Sequence, residues 1–228
     1  MLRYTLTLIC CLLTAPLMAQ SSDGPRLLVM GDSLLAANTP TGKSIGSTAA
    51  KVLGASELRE MAMPAAQMLY RLPVSGAMGL RISKQYRKGD WDWIILNGGG
   101  NDLLFGCDCG PCGPKMDRLI SAAGTTGEIP RLVSELRATG ARIAYVGYLR
   151  SPGFDTPVEH CKAVGDELER RLSKMARRDR GVYFLSNADL VPQGDLSFHD
   201  WDRVHPSAKG SQSIGNALAR LIHSAGAR

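Results

Sequence analysis

The stretch that decides the fold is Arg26-Leu27-Leu28-Val29-Met30, followed directly by Gly31-Asp32-Ser33-Leu34. The first five residues form a short apolar run of the kind that makes a buried strand. The next four place a serine hydroxyl at the C-terminal end of that strand, and we expect a helix to follow. Because Gly-Asp-Ser is also ordinary turn and N-cap chemistry, the triplet alone identifies no function.

Further along the chain, apolar runs recur at intervals, and each predicts a buried strand. These runs cover 58–61, 91–96, 142–148 and 182–185. Between them, apolar residues recur three or four positions apart, which predicts helices. The helical stretches are 44–54, 76–88, 127–139, 158–178 and 207–223. Such alternation is typical of a mostly parallel sheet with helices on both faces, so we predict an α/β fold, a three-layer α/β/α sandwich of about five strands.

The composition is that of one soluble globular domain. Of the 228 residues, 44% are hydrophobic, and 27 Lys and Arg against 21 Asp and Glu give a formal charge of +6. This balance excludes a polytopic membrane protein, a collagenous repeat and a wholly disordered chain. The basic residues are spread along the sequence, whereas nucleic-acid arms concentrate them, so no nucleic-acid partner is predicted.

The N-terminus has the pattern of an export signal. Arg3 supplies a positive charge, an apolar run covers 5–13, and Ala15, Pro16 and Ala19 supply the breaker and small residues of a cleavage site. The run is shorter than the roughly 20 apolar residues of a membrane span. We therefore predict a signal peptide over 1–19 and a single mature domain over 20–228. A periplasmic or secreted location follows, with no stable membrane span after cleavage.

Export changes what the cysteines imply. Two of the six cysteines fall in the predicted leader, and the mature chain keeps Cys107, Cys109, Cys112 and Cys161. Four cysteines in an oxidising compartment favour two disulfides. A bond between Cys107 and Cys109 is the hardest to build, since a single residue separates them. We therefore expect Cys161 to be bonded to the 107–112 loop.

The cysteines also allow two other interpretations. The string Cys109-Gly110-Pro111-Cys112 reads as a thioredoxin-like redox motif, which needs a strand before it and a helix that starts on it. Here it lies in a glycine-rich loop, two residues after another cysteine, so a structural role is favoured. A zinc site built from these cysteines and His160 is favoured less, because CxCxxC lacks the paired CxxC spacing of common zinc folds.

Two further segments carry polar side chains at the ends of predicted elements. The strand over 91–96 is followed by Asn97-Gly98-Gly99-Gly100-Asn101-Asp102, and the last helix is preceded by Asp202-Arg203-Val204-His205-Pro206. In sheets of this class, ligand sites lie at the carboxyl ends of the strands. We therefore examine these ends for complementary chemistry.

Together the three segments supply the parts of a serine hydrolase. The hydroxyl of Ser33 becomes a nucleophile when a base removes its proton, His205 is such a base, and Asp202 can orient its ring. The oxyanion of acyl transfer needs donors already in place, and the Asn101 amide and the Ser33 backbone N–H could provide two. This chemistry requires no metal and no organic cofactor.

In this order, GDS at 31–33, GxND at 99–102 and DxxH at 202–205 resemble the motifs of the SGNH or GDSL hydrolase family, over essentially the whole mature chain. The resemblance implies a flavodoxin-like fold. It also implies roles for the motif residues, namely Ser33 as nucleophile, His205 as general base, Asp202 as its partner and Asn101 as oxyanion donor. The start of the chain, over 27–34, is similar to the bacterial thioesterase I and arylesterase branch.

One position departs from the family pattern. The family's remaining oxyanion donor is a glycine in the loop after the second strand, and Ala65 takes this place here. An alanine keeps the backbone N–H, so the donor survives unless the loop needs a positive φ.

The predicted function is an exported serine esterase that hydrolyses carboxylic esters or thioesters through an acyl-enzyme. Its substrate would be a small ester, a lipid or an acylated glycan. Removal of O-acyl groups from a polysaccharide or peptidoglycan would use the same residues and is the main alternative. A thiol redox protein using Cys109 and Cys112, and a non-catalytic carbohydrate-binding protein, are the alternatives from other classes.

Overall fold

The structure, a computed structural model, describes residues 24–153 and 156–226, and the predicted signal peptide lies outside them. The strands are β1 Gly24–Met30, β2 Ala55–Glu60, β3 Trp93–Leu96, β4 Arg142–Val146 and β5 Val182–Leu185. They form one sheet in the order β2, β1, β3, β4, β5, and all neighbouring pairs are parallel. The prediction of an α/β fold with a parallel sheet is confirmed.

Helices and short helical turns connect the strands. The α-helices are α1 Ser33–Ala36, α2 Ile45–Leu53, α3 Pro73–Ser75, α4 Gly100–Cys107, α5 Gly113–Leu119, α6 Glu128–Arg137, α7 Lys162–Ala176 and α8 Ala208–Gly226. The 3-10 turns are Thr39–Thr41, Ile82–Gln85, Glu159–Cys161 and Leu196–Phe198, and one π turn is Gly76–Leu80. Among the described residues, no helix combines the length and the apolar character needed to cross a bilayer.

The central strands feed two apolar layers, because successive residues of a strand point to opposite faces of the sheet. In β1, Leu27 and Val29 pack with α1, α2 and α8, whereas Leu28 and Met30 pack with α4, α5, α6 and α7. All four side chains are fully buried. The apolar run of β1 is therefore at the centre of the three-layer sandwich, and packing on both faces fixes the position at which the strand ends.

Two predictions of local structure are wrong. The stretch 76–88 is not one helix, since Gly79 has a φ of +117° and Arg81 is extended and forms an isolated bridge with Gln67. A glycine adopts this φ without steric cost, and the bridge then holds the chain outside helical geometry. The run at 58–61 is not a buried strand either. It belongs to β2, an edge strand in which three of six residues are exposed.

Candidate active site

The predicted catalytic segments meet at the carboxyl edge of the sheet. Ser33 follows β1 as the first residue of α1, and Asn101 lies in the first turn of α4, after β3. The strand order reverses between β1 and β3, and in sheets of this order the reversal opens the ligand crevice. The loop before α8 joins the same edge, because the side chain of Asn38, just after α1, donates a hydrogen bond to the carbonyl of Pro206 (3.0 Å).

Asp32 is the buried centre of the serine turn. Its Oδ1 accepts a hydrogen bond from the Leu34 backbone N–H (3.0 Å) and so caps α1, which is the ordinary N-cap role of aspartate. Its Oδ2 accepts one from the Tyr148 hydroxyl (2.5 Å), which itself accepts one from the Gly100 N–H (2.8 Å). Burial raises the pKa of Asp32 to about 6, against the opposing effects of its hydrogen bonds and of the nearby His205.

The side chain of Gln85 holds the backbone of Gly31, two residues before the serine. Its Oε1 accepts a hydrogen bond from the Gly31 N–H (2.7 Å), and its Nε2 donates to the Gly31 carbonyl (2.8 Å) and to the Gly79 carbonyl (2.9 Å). Gln85 is buried. The turn that presents the serine is therefore fixed from two sides, by Asp32 within the turn and by Gln85 from a distant loop.

His205 and Asp202 form a hydrogen-bonded pair in the loop before α8. The Nδ1 of the half-buried His205 lies 2.5 Å from Asp202 Oδ2. Partial burial raises the pKa of Asp202, but hydrogen bonds from His205 and Val204 outweigh it and hold the pKa below its ordinary value. An ionised Asp202 favours the tautomer with the proton on Nδ1, which leaves Nε2 of His205 as the basic nitrogen.

The loop after β2 carries Ala65 where a glycine was expected. Ala65 has a φ of +62°, in the left-handed region that favours glycine. The loop therefore does need a positive φ. Alanine nevertheless adopts it, with steric strain, so the backbone N–H of Ala65 is kept as a candidate donor in spite of this requirement. For a residue with a Cβ this conformation costs about 1 to 2 kcal/mol.

The start of α4 fixes that loop from the other side. Asn101 Nδ2 donates a hydrogen bond to the Ala66 carbonyl (3.0 Å), and the carboxylate of Asp102 accepts hydrogen bonds from the Met68 N–H (2.9 Å) and the Leu69 N–H (2.7 Å). Burial raises the pKa of Asp102, although these two N–H groups lower it. The backbone beside Ala65 is thus held in one conformation by two neighbouring residues of the Asn-Asp motif.

The three groups predicted as oxyanion donors have N–H hydrogens that make no hydrogen bond within the described part of the chain. Within the described residues, the backbone N–H groups of Ser33 and Ala65 and the Oγ of Ser33 make no hydrogen bond. The Asn101 amide has two hydrogens and uses one for the Ala66 carbonyl. A hydroxyl, a base with its orienting carboxylate, and N–H donors are the components that acyl transfer requires.

The four cysteines form two disulfides, Cys107–Cys112 (2.03 Å) and Cys109–Cys161 (2.02 Å). The expected link between Cys161 and the 107–112 loop is present. A redox CxxC motif joins its own two cysteines, which is not the pairing here. His160 and the sulfurs of Cys109 and Cys161 lie within 4.8 Å of one another, but a disulfide offers no thiolate to a zinc ion.

Sequence reasoning missed three residues that shape the site. Asp102 is the last residue of the GxND motif, which predicted no role for it, and it anchors the loop that contains Ala65. Tyr148 lies two residues after β4, where a parallel strand delivers side chains to the ligand edge, and that placement was the available signal. Gln85 lies in a stretch predicted as a helix, and nothing in its surroundings marked it as a buried clamp.

Comparison with known proteins gives a family match over most of the chain. A family model described as the GDSL-like lipase/acylhydrolase family matches residues 29–212, which include Ser33, Ala65, Asn101, Asp202 and His205. A search of curated proteins finds no match.

Several solved structures share the fold. A proposed arylesterase from Agrobacterium tumefaciens str. C58 is 17% identical, with a TM-score of 0.60 over 88% of this chain and 99% of that chain. A carbohydrate acetylesterase family member from Sinorhizobium meliloti is 17% identical, with a TM-score of 0.58 over 88% of this chain and 98% of that chain. A candidate SGNH hydrolase from Slackia heliotrinireducens is 20% identical, with a TM-score of 0.55 over 88% of this chain and 100% of that chain. At these identities the likeness establishes the fold.

Proposed function

The chain belongs to the GDSL-like lipase/acylhydrolase family of ester-bond hydrolases, and we propose that it is an exported serine esterase with Ser33 as nucleophile, His205 as general base and Asp202 as its partner. The observation that carries the proposal is the Asp202–His205 pair, whose loop is tied to the segment that follows the serine helix. The uncommitted Ser33 hydroxyl at the sheet edge supports the same assignment. The predicted family resemblance is confirmed by the family match.

In the proposed reaction, His205 Nε2 removes the Ser33 hydroxyl proton as Oγ attacks the ester carbonyl. The tetrahedral intermediate then expels the alcohol, which takes the proton from His205, and leaves an acyl-enzyme. Water that is deprotonated by His205 attacks the acyl-enzyme. The second tetrahedral intermediate then expels Ser33 Oγ, which takes the proton back from His205, and the acid is released. Asp202 stabilises the imidazolium that forms in each half-reaction.

The oxyanion of each intermediate would be held by the backbone N–H groups of Ser33 and Ala65 and by the second amide hydrogen of Asn101. The available hydrogens on these groups support this assignment. Because such donors act in a site where they need no reorganisation, loss of one raises the barrier by about 3 kcal/mol.

Export is part of the proposal. It is supported by the leader pattern over 1–19 and by the two disulfides, which persist in oxidising compartments. Expression of the full chain in a bacterial host, followed by intact mass measurement of the periplasmic and medium fractions, should find a protein that begins near residue 20. Recovery of the uncleaved chain from the cytoplasm alone would contradict export.

The serine mechanism is tested with 4-nitrophenyl acetate and longer acyl esters. Ser33→Ala should lower turnover by several orders of magnitude, since only binding and oxyanion contributions remain. Ser56→Ala is the matched control, because the Ser56 hydroxyl bonds the Gly24 carbonyl at the far end of β1. Equal turnover by wild type and Ser33→Ala, with both proteins folded, would remove Ser33 from the mechanism.

Deacylation of a glycan is a second candidate, favoured by one observation. Trp201 adjoins Asp202, and 89% of its surface is exposed. An indole face beside the site could stack on a sugar ring of the substrate. If so, Trp201→Ala lowers turnover of an acetylated polysaccharide while turnover of 4-nitrophenyl acetate stays near the wild-type value. Equal turnover of the polysaccharide by the variant and wild type would favour simple esters.

A further inference from the structure

A cavity of about 450 Å³ is lined by residues that follow the proposed oxyanion donors in the chain. One wall is the loop after β2, with Gln67, Leu69 and Arg71, and the other wall is formed by α4 and α5. Gln67 is two residues after Ala65, and Asp102, which lines the opposite wall, follows Asn101 directly. Each wall therefore contains a residue within two positions of a proposed oxyanion donor.

The two walls are fixed to each other near the site. Asp102 accepts hydrogen bonds from the backbone N–H groups of Met68 and Leu69, so its carboxylate holds the loop against α4. The Cys107–Cys112 disulfide joins the last residue of α4 to the residue before α5, and so fixes the two helices of the second wall to each other. The second wall is therefore rigid, and the loop is held against it at the end near Asp102.

The cavity is lined by three cations, Arg71, Lys115 and Arg118. Within the described residues, no carboxylate lies at ion-pair distance from any of the three. Asp102 is the one acidic residue of the lining, and it interacts electrostatically with Lys115 without forming an ion pair. By contrast, Arg131 and Arg171 on nearby helices each pair with two carboxylates. The lining thus holds three cations against one carboxylate and carries an excess of positive charge.

Lys115 is placed by the absence of a side chain at Gly106. A Cβ at Gly106 would overlap the ammonium and the last carbons of Lys115, so the lysine lies flat across the bare backbone of α4. Lys115 is half-buried in this position. The Lys115 ammonium is consequently held next to Gly106 of α4, whereas an ordinary surface lysine extends freely into solvent.

We propose that this cavity is an anion subsite and that the natural ester carries a carboxylate or phosphate group, which Arg71, Lys115 and Arg118 bind while the ester lies at Ser33. The inference rests on the proposed esterase function and adds the substrate class. Gly106 lies five residues after Asn101, which is about 8 Å along a helix axis. The anionic group would therefore sit about 8 Å from the ester carbonyl. Leu69 and Phe105, also in the lining, would contact the chain or ring between the two groups.

The test compares matched neutral and anionic esters. On the acyl side the pair is 4-nitrophenyl heptanoate and mono-4-nitrophenyl pimelate, whose extended chain spans the distance between the two groups. On the alcohol side, phenyl acetate is compared with 4-acetoxybenzoate and 4-acetoxyphenyl phosphate, which separates the two sides and the two kinds of anion. We expect kcat/KM for at least one anionic ester to exceed that of its neutral partner by tenfold or more, and the preference to shrink as salt is added.

The double variant Lys115→Gln with Arg118→Gln should abolish this preference and leave kcat/KM for the neutral esters within about twofold. The control is Arg177→Gln with Arg178→Gln, which removes the same charge from exposed positions at the end of α7 and should keep the preference. Neutral and anionic esters turned over equally by wild type, or a preference lost equally in both variants, would overturn the anion subsite.

A binding measurement separates this inference from the esterase proposal. In Ser33→Ala, NMR titration should show at least one of the anionic esters binding at least tenfold more tightly than its neutral partner. Adding Lys115→Gln and Arg118→Gln should remove the difference. If wild type hydrolyses none of the esters, the esterase proposal fails, and the titration still decides whether the cavity binds anions.

Discussion

Asp202 holds both the ring and the backbone of His205. Its Oδ2 lies 2.5 Å from the ring Nδ1, while its Oδ1 accepts hydrogen bonds from the His205 N–H (3.0 Å) and the Val204 N–H (2.9 Å). The same carboxylate therefore shapes the turn that carries the base and orients the base within it. These two roles can be separated by substitution.

Asp202→Asn keeps an oxygen for the backbone N–H groups and removes the charge. We expect kcat for 4-nitrophenyl acetate to fall at least about 100-fold, because the wrong imidazole tautomer is favoured and the imidazolium loses the charge that stabilises it. The melting temperature should change little. Asp200→Asn is the control, since Asp200 Oδ1 accepts only the Trp201 N–H nearby. A kcat near the wild-type value in Asp202→Asn would exclude the proposed pairing.

Asn38→Gly tests how the loop that carries His205, the proposed base, is positioned relative to Ser33, the proposed nucleophile. The Asn38 amide donates to the Pro206 carbonyl (3.0 Å) and to Ser211 Oγ (2.9 Å), and its φ is +61°. Glycine adopts that φ freely, so the variant loses the hydrogen bonds without backbone strain, and the greater entropy of its unfolded chain adds to the loss of stability. We expect kcat to fall about tenfold with KM nearly unchanged, and stability to fall by about 2 kcal/mol.

A lower kcat with an unchanged KM distinguishes a loss of positioning from a general loss of stability. Ser56→Ala also removes one hydrogen bond, to the Gly24 carbonyl, at the opposite end of β1. It should lower stability without lowering kcat, when both variants are assayed well below their melting temperatures. If Asn38→Gly behaves in the same way as Ser56→Ala, the amide has only a structural role.

Ala65→Gly should relieve the strain of the oxyanion loop. The left-handed φ of +62° costs alanine about 1 to 2 kcal/mol, and glycine loses part of this gain through the greater entropy of its unfolded chain. We expect a net stabilisation of up to about 1 kcal/mol in urea unfolding, with kcat/KM at least equal to wild type. Ala62→Gly, in the same loop without a positive φ, should instead destabilise by about 0.5 to 1 kcal/mol. Destabilisation by both substitutions would contradict strain at Ala65.

Asp32→Asn should change the pH dependence of stability. The native pKa of Asp32 is about 6 against 3.8 for an unperturbed carboxyl, so the native state binds the proton more tightly than the unfolded state. Stability from this group is present below pH 4 and is lost as pH rises to about 6, by about 3 kcal/mol in all. The free energy of unfolding of Asp32→Asn, relative to wild type, should therefore increase across this window.

Urea unfolding at several pH values between about 4 and 7.5 measures this difference. Asp90→Asn serves as the control, because the Asp90 side chain is 90% exposed. The difference in free energy of unfolding between Asp90→Asn and wild type should not change with pH over the same range. A flat difference for Asp32→Asn as well would show that the buried carboxyl titrates normally.

Removal of the two disulfides should have unequal effects. Cys109–Cys161 closes a 52-residue separation and Cys107–Cys112 a 5-residue separation. If the disulfides stabilise the protein by lowering the entropy of the unfolded chain, replacing the first pair by alanine lowers the free energy of unfolding by about 4 kcal/mol. Replacing the second pair lowers it by about 2 kcal/mol. Urea unfolding under non-reducing conditions gives both values. A larger loss for Cys107→Ala with Cys112→Ala would place the effect in the folded packing around the buried Cys112.

The parallel sheet and the motif residues could be predicted because local sequence carries them. Buried parallel strands read as continuous apolar runs, as Leu27 to Met30 do, and the chain direction then places Ser33 at the ligand edge. The edge strand β2 was less well predicted, since an edge position leaves Glu57 and Arg59 in solvent and weakens the apolar signal.

The remainder of the site could not be predicted because it depends on distant contacts. Gly79 and Arg81 break an apparently helical pattern only because a bridge to Gln67 stabilises the extended backbone there. Gln85 becomes a clamp on Gly31 by that same break. Composition and periodicity contain no record of such partners. The φ of Ala65 is likewise not determined by the local sequence, because contacts with α4 hold its loop.

The hydrogen bonds around Ser33 join residues far apart in the chain. Gln85 meets Gly31 across 54 residues, Tyr148 meets Asp32 across 116, and Asn38 meets Pro206 across 168. Contacts of such separation close late, because the loop entropy must be overcome before they contribute. During refolding from denaturant, helical circular dichroism should consequently recover before turnover does. The rate at which turnover returns would then measure the last step of folding.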